Sequence, residues 1–250
     1  MNNQIRYKGE TFSFLFALFI ALLLSYFIFE MSTVLLISLL VIQLTFIVFT
    51  QKQTQGNSIE IGDTQFNEIH QLIQEVADTL EIQAPNSYVT FDPYINAFVM
   101  GFSKPYTLVL SSSLVEAMSK DELKFVIGHE LGHIKYGHSR FKSLIVPVDK
   151  NIPVVTFIFN QWLRKAEYTS DRTGFLSTKS IEPSISALLK ITVGPVMYKK
   201  LNIDQVVHQI EKSFDEKVEK VSELFLTHPY VMNRIKQLVE YQAMLKNFHD

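Results

Sequence analysis

The chain has 250 residues, 47% of them hydrophobic, with a formal net charge of −2. Balanced charge without long blocks of one sign argues against a nucleic-acid partner. The chain contains no cysteine, which excludes disulfides and thiolate ligands and leaves His, Asp and Glu for any metal. This composition fits a reducing compartment.

Two uncharged runs follow a short polar N-terminus. Residues 12–29 carry no charge, Glu30 interrupts the pattern, and residues 31–49 are again uncharged. As a helix each run rises roughly 27 Å, close to the hydrocarbon thickness of a bilayer. A cleaved signal peptide is the alternative for the first run, but its apolar stretch is long and no small-residue cleavage site follows it. We therefore predict a transmembrane helical hairpin.

Basic residues flank the outer ends of this hairpin. Arg6 and Lys8 precede it and Lys52 follows it, whereas the turn near Glu30 has no Lys or Arg. The positive-inside rule then places both termini, and the domain after the hairpin, in the cytoplasm. Residues 51–62 are polar like a flexible linker, which reaches at most roughly 40 Å and keeps the domain near the lipid bilayer.

The segment from Ser87 to Leu110 is rich in β-forming residues. Its runs are separated by Asp-Pro and Lys-Pro turns, which predicts a small antiparallel sheet. One run contains Asn96, Ala97 and Phe98, which could pair with an extended substrate if they lie at a sheet edge. An ordinary core strand fits the same pattern equally well.

The most informative motif is the stretch His129-Glu130-Leu-Gly-His133. Ser119 and Glu122 form a capping box ahead of it, which predicts that the motif is helical. Histidines four residues apart on a helix can bind one metal ion. Glu130 lies about 100° further round the helix, where it can take a proton from a water that the metal activates. Isolated histidines on a helix surface are the alternative.

A zinc site with two histidines needs a third protein ligand and an open position for water. A second predicted helix, over residues 164–174, carries Glu167 and, four residues later, Asp171. Glu167 is the candidate ligand, and Asp171 could accept a hydrogen bond from a ligand imidazole. An ordinary acidic pair on a helix surface is the alternative. His138 lies about 140° from His133 around a helix and is not expected to be a ligand.

Residues 144–163 are not predicted to form a further span. Asp149 and Lys150 would lie near its centre, and each costs about 2.5–3.5 kcal/mol on insertion scales. We expect a loop that leads into a helix, which could contact the membrane or act as a lid. The C-terminal third is predicted to be mostly helical and to end in a helix over residues 229–245. His228 precedes that helix, where a structural role is the default.

Taken together, several motifs resemble the HtpX-like family of membrane metallopeptidases, which is related to the CAAX prenyl proteases. The resemblance covers residues 63 to 250, and the hairpin matches the family's N-terminal membrane anchor. The motifs are His129-Glu-Leu-Gly-His133, Glu167-x-x-x-Asp171, Asn96-Ala-Phe98, and Thr227-His-Pro229 with Arg234-Ile235.

The resemblance implies a zinc-dependent endopeptidase that acts on membrane-associated proteins or peptides. One Zn²⁺ per chain would be bound by His129, His133 and Glu167, with Glu130 as the general base. A proteolytically inactive zinc-binding scaffold or sensor is the alternative. The presence of Glu130 argues against it, because structural zinc sites usually close with four protein ligands and need no base.

The resemblance also implies supporting roles. Asp171 would orient a ligand histidine, and His228 would stabilise the oxyanion of the tetrahedral intermediate. Asn96, Ala97 and Phe98 would hold the substrate backbone.

The predicted fold is mainly α with a small antiparallel β-sheet, an α+β zincin-like catalytic domain of the gluzincin type behind a two-helix transmembrane hairpin. We expect an integral membrane protein of the cell membrane with its catalytic domain on the cytoplasmic side. The predicted segments are an N-terminal tail (1–10), the hairpin (11–50), a linker (51–62) and the metallopeptidase domain (63–250).

Overall fold

The computed structural model describes residues 5–145, 153–202, 205–206, 208 and 228–247. This part of the chain is mostly helical and contains a four-stranded sheet, which confirms the predicted fold class. In chain order the elements are α1 (Glu10–Met31), α2 (Thr33–Gly56), β1 (Ile59–Glu60), α3 (Asn67–Thr79), β2 (Asn86–Thr90), β3 (Ala97–Met100), β4 (Thr107–Ser111), α4 (Ser112–Ala117), α5 (Lys120–Lys135), α6 (His138–Ile145), α7 (Pro153–Thr178), α8 (Ile181–Val193), α9 (Pro195–Tyr198) and α10 (Val231–Lys246).

Helices α1 and α2 are each long and apolar enough to cross a membrane. Only 17% of the most apolar stretch of α1, and 6% of that of α2, is buried within the protein. A core helix of a soluble domain would instead bury its apolar side chains. Ser32 caps α2 by accepting a hydrogen bond from the backbone N–H of Leu35, which separates the two helices at the predicted turn.

The segment interpreted as a linker is largely regular structure. Helix α2 continues through residues 51–56, and β1 pairs antiparallel with β2. Gln51 and Gln55 each donate a side-chain hydrogen bond of 2.9 Å to the hydroxyl of Thr107. Composition alone could not reveal these partners, because they lie more than fifty residues along the chain. The hairpin is therefore joined to the following domain by direct contacts.

The sheet has the strand order β1-β2-β4-β3. The pair β3–β4 is antiparallel as predicted, but β2 and β4 are parallel, so the sheet is mixed. Strand β1, which pairs antiparallel with β2, lies in the segment predicted to be a linker. All five residues of β4 are buried, and this strand lies inside the sheet between β2 and β3. Among the described residues β3 pairs only with β4, so its other edge is open to a further strand.

Helix α5 occupies the centre of the fold, between the sheet and α7. Ser119 and Glu122 form the predicted capping box at its start, and Gly137, with a φ of 78°, follows its end. The side chains of Leu123, Ile127 and Leu131 are buried in the main hydrophobic core. That core also includes side chains from α3, β4, α8 and α10. Helix α5 is thereby held on several sides.

Glycines allow α5 and α7 to pack unusually closely. A Cβ atom on Gly132 would lie 2.9 Å from the side chain of Thr173, and one on Gly174 would lie 2.6 Å from the carbonyl oxygen of Phe125. Both distances are shorter than the contacts that packed carbon and oxygen atoms tolerate. The close approach places Glu167 of α7 against the histidines of α5.

Candidate metal centre

Two histidines of α5 and one carboxylate of α7 converge at a buried point. The Nε2 atoms of His129 and His133 are 3.2 Å apart, and each lies 3.5 Å from an oxygen of Glu167. Ligand atoms around a tetrahedral zinc ion, with bonds of about 2.0–2.1 Å, are about 3.3 Å apart. Two imidazoles with one carboxylate are also a common donor set for catalytic zinc. The spacing and the chemistry therefore fit zinc.

The protonation of these groups also suits a cation. Burial lowers the pKa of His133 well below its ordinary value, so its imidazole is neutral and can coordinate a metal. Burial alone would raise the pKa of Glu167, but interactions with His228 and a hydrogen bond from His129 hold it well below the ordinary value. Glu167 is therefore a carboxylate, the form that binds a metal.

His129 has a different environment from His133. Burial alone would lower its pKa, but hydrogen bonds to Asp171 and Glu167 raise it to about 9. In the protein without a metal, this imidazole thus carries a positive charge between two carboxylates. A metal cation bound at Nε2 would replace that charge, which again fits the donor set.

Asp171 and Arg234 hold His129 from behind. Asp171 Oδ1 lies 2.9 Å from Nδ1 of His129, and the Arg234 guanidinium donates two hydrogen bonds to the Asp171 carboxylate. Burial alone would raise the pKa of Asp171, but Arg234 keeps it below its ordinary value. The role of Arg234 was not predicted, because nothing in its local sequence indicates a partner 63 residues away.

Glu130 and His228 lie beside the three candidate ligands. Glu130 is buried, and this burial raises the pKa of its carboxyl group. The Nδ1 atom of His228 lies 3.3 Å from Glu167, while its side chain is 57% exposed and faces the open side of the centre. The structure thus brings both residues to the candidate centre.

Two cavities of about 230 Å³ and 270 Å³ open on the candidate centre. Asn96, Ala97, Glu130 and His228 line both of them, so together they form a groove along the start of β3. The smaller cavity also includes Phe98 and Lys142, and the larger includes Phe125, Leu188 and Ile191.

Lys142 was not identified from the sequence. It lies on α6, where its Nζ is 3.9 Å from a Glu167 oxygen. Its signal in the sequence is weak, because a lysine close to a motif is most often an exposed surface residue. Within the segment 144–163, which was predicted to be a loop leading into a helix, positions 146–152 lie outside the described residues.

His138 lies on the opposite side of His133 from the candidate centre. Its Nδ1 is 3.2 Å from Nδ1 of His133, the ring nitrogen that faces away from the other ligands. It is not part of the group formed by His129, His133 and Glu167, whose ligand atoms all lie within 4.8 Å of one another. His138 therefore lies behind His133, away from the other candidate ligands.

The chain matches the model of peptidase family M48 over residues 63–153 and 148–242. It is 29% identical to the plastoglobule-localized metallopeptidase 48 of Arabidopsis thaliana, over 76% of this chain and 63% of that protein. It is 27% identical to a protease HtpX homolog of Helicobacter acinonychis, over 69% of this chain and 66% of that protein. The match therefore spans slightly less than two thirds of each of these relatives. A protease HtpX homolog of Streptococcus uberis is 24% identical, over 72% of this chain and 75% of that protein.

Proposed function

Because the chain belongs to peptidase family M48, we propose that it is a membrane-anchored, zinc-dependent endopeptidase. Its proposed substrates are membrane-associated proteins or peptides. The observation that carries the proposal is the convergence of His129, His133 and Glu167 beside the buried carboxyl of Glu130, at the floor of an open groove. A structural zinc site would need a fourth protein ligand in place of this opening.

The proposed chemistry is the addition of water to a peptide carbonyl. A zinc ion held by His129, His133 and Glu167 would act as a Lewis acid on the carbonyl and lower the pKa of the attacking water. Glu130 accepts the proton of that water and returns it to the amine nitrogen as the C–N bond breaks. Burial raises the pKa of Glu130, which suits a group that must both take and release a proton.

His228 is the proposed donor to the carbonyl oxygen as that atom gains negative charge. Its partly exposed side chain lines both cavities, next to Glu130. A donor aimed at the developing charge stabilises the transition state more than the ground state. His228 thus complements Glu130, which handles the proton.

The substrate is proposed to bind as an added strand along β3. The open edge of β3 faces no other strand among the described residues, and its first residues line the groove. The backbone N–H of Asn96 donates to the Ser111 hydroxyl and its carbonyl accepts from the Ser111 N–H. Backbone hydrogen bonds to an extended peptide would therefore come from Ala97, with Asn96 and Phe98 contacting the peptide through the groove that they line. The apolar walls of the larger cavity, at Leu188 and Ile191, favour apolar side chains.

Helices α1 and α2 are the proposed membrane anchor. Their apolar side chains are largely exposed, and burying such surface in lipid is favourable. Arg6, Lys8 and Lys52 support the cytoplasmic position of both ends of the hairpin.

The proposed orientation of the hairpin can be tested with single cysteines introduced at Ser32 and Lys52, because the chain lacks cysteine. A membrane-impermeant maleimide added to intact cells should label Ser32→Cys only. Labelling of Lys52→Cys would show that the orientation is the reverse of the one proposed.

The activity is tested by comparing wild type with Glu130→Gln in detergent, with casein or the chain itself as substrate. Wild type should cleave in a chelator-sensitive manner. The variant should retain its zinc content and lose about 10²–10⁴-fold in rate, the usual contribution of a general base. Zinc-loaded wild type that is as inert as the variant on several substrates would favour the inactive scaffold.

A further inference from the structure

A buried row of three side chains joins the candidate metal centre to the N-terminal helix α1. Nδ1 of His133 lies 3.2 Å from Nδ1 of His138, and Nε2 of His138 lies 3.0 Å from a carboxylate oxygen of Glu10. Glu10 and His138 are each only 2% exposed. Groups so deeply buried need partners, because a lone charge or polar group in the interior is costly.

The chemistry of the three groups determines where their protons lie. An ionised Glu10 can only accept, so Nε2 of His138 donates to it. If Nε2 of His133 binds a metal, the proton of that imidazole lies on Nδ1, and Nδ1 of His138 is the atom placed to accept it. His133 is left with an unprotonated Nε2, the atom that lies among the other candidate ligands. This arrangement satisfies every hydrogen-bonding atom in the row.

Glu10 is held in place from α7 as well as from its own end of the chain. The hydroxyl of Thr169, two residues after Glu167, donates to its second carboxylate oxygen, and Arg6 lies 3.9 Å from the first. Lys165 of α7 donates to the hydroxyl of Ser13, one turn further along α1. The carboxylate therefore has a defined position relative to the helix that carries Glu167.

We propose that Glu10 and His138 are positioning residues for His133, which makes α1 part of the metal centre as well as a proposed anchor. Glu10, through His138, holds the His133 proton on Nδ1 and directs Nε2 toward the metal. Asp171 does the same for His129 by direct contact. Outer hydrogen-bond partners of this kind orient metal-binding histidines and raise their basicity. The inference rests on the proposed zinc centre.

The inference is tested by zinc affinity, measured by competition with a chromophoric chelator on the full-length protein in detergent. Glu10→Leu and His138→Phe each replace a polar side chain with an apolar one of similar size and so break the row. Each should weaken zinc binding about 10–100-fold. Glu10→Gln should lose less, because its amide oxygen can still accept from His138. The double variant should lose little beyond His138→Phe alone, since both changes break one row.

Ser13→Ala is the matched control for loosened helix packing. Ser13 is buried on α1 and contacts α7 through Lys165, but it is outside the row. It should leave zinc affinity unchanged. The absorption spectrum of the Co²⁺-substituted protein provides a second readout, which should change in Glu10→Leu and stay as wild type in Ser13→Ala.

Three outcomes would overturn the inference. These are unchanged zinc affinity in His138→Phe, unchanged affinity in Glu10→Leu, and a loss in Ser13→Ala as large as that in Glu10→Leu. Thermal unfolding in excess chelator checks that each variant is folded. If Glu10→Leu does not fold, the inference requires that His138→Phe bind zinc more weakly than Glu10→Gln does, and equal affinities would overturn it. Wild type that binds no zinc would instead refute the proposed function itself.

Discussion

Arg234 donates two hydrogen bonds to the carboxylate of Asp171, from Nε to Oδ2 at 2.8 Å and from Nη2 to Oδ1 at 2.6 Å. The two residues belong to α10 and α7, and Asp171 in turn lies 2.9 Å from His129 of α5. The C-terminal helix is thereby connected to a candidate metal ligand. Bidentate pairing with a planar guanidinium is both strong and directional, so this contact defines the orientation of the Asp171 carboxylate.

Replacement of Arg234 should therefore weaken metal binding without touching a ligand. Arg234→Leu removes both guanidinium hydrogen bonds from the buried Asp171 carboxylate and leaves His129 as its charged partner, and we expect about 3–5 kcal/mol loss in the free energy of unfolding. Zinc affinity should fall about 10–100-fold, because His129 loses its fixed partner. Arg234→Lys keeps the charge but not the paired geometry and should be intermediate. Denaturant unfolding and chelator competition measure the two effects.

The control for Arg234 lies on the same helix. Lys236 pairs with Glu240 at the surface of α10, at 3.4 Å. Lys236→Leu should change stability by less than about 1 kcal/mol, as exposed ion pairs contribute little, and zinc affinity should not change. Equal effects from Arg234→Leu and Lys236→Leu would contradict the role assigned to Arg234.

Glu167→Ala should remove the third candidate ligand. We expect purified protein to lose most of its zinc after dialysis, because two histidines alone make an incomplete site. Metal analysis of the dialysed protein measures the zinc content per chain. Glu116→Ala, an exposed carboxylate on α4, serves as control and should keep the wild-type zinc content. A full zinc complement in Glu167→Ala would disprove the assignment of this ligand.

Gly132→Ala should separate α5 from α7. The added Cβ would lie 2.9 Å from the Thr173 side chain, and overpacking of this kind costs about 1–3 kcal/mol. For a chain of this size that corresponds to a fall of about 2–4 °C in Tm per kcal/mol, measured by thermal unfolding. Zinc affinity should fall too, because Glu167 moves away from the histidines.

The control for Gly132 is Gly56→Ala. A Cβ on Gly56 would meet nothing within 4 Å, so the same chemical change is made without overpacking. Its zinc affinity should match that of wild type. Its Tm should be equal to that of wild type or slightly higher, since alanine favours helix more than glycine does. A Gly132→Ala variant as stable as Gly56→Ala would show that α5 and α7 can separate freely.

Stability should depend on pH through Glu122. Burial alone would raise its pKa, but hydrogen bonds from Lys190, Ser186 and the backbone N–H of Ser119 hold it below the ordinary value of 4.5. A group whose folded pKa is lowered stabilises the fold above its unfolded pKa, and this contribution is lost as the pH falls through the folded pKa. Wild type should therefore exceed Glu122→Gln in stability at pH 7.

The difference between these two proteins should shrink as the pH falls below about 4.5, where the carboxylate of the unfolded chain becomes protonated. Urea unfolding at a series of pH values measures it. A difference that stays constant down to acidic pH would mean that the ion pair with Lys190 at 2.7 Å is not the source of the added stability.

Local patterns in the sequence determined much of the candidate site. His129 and His133 lie on one face because an α-helix repeats every 3.6 residues, and Glu167 and Asp171 share a face for the same reason. The two apolar runs of the hairpin and the capping box at Ser119 are also local features. Each depends only on residues within a few turns, so the linear chain contains all the information needed to predict it.

Tertiary structure decided the contacts between distant parts of the chain. The parallel pairing of β2 with β4, the bond from Arg234 to Asp171 and the row from Glu10 to His133 join segments that no local pattern connects. The last two contacts depend on the packing of α5 against α7, which Gly132 permits. Packing depends on the shapes of surfaces that form only when the helices meet, and this is why the sequence predicted the candidate ligands and Asp171 but not the contacts of Arg234, His138 and Glu10.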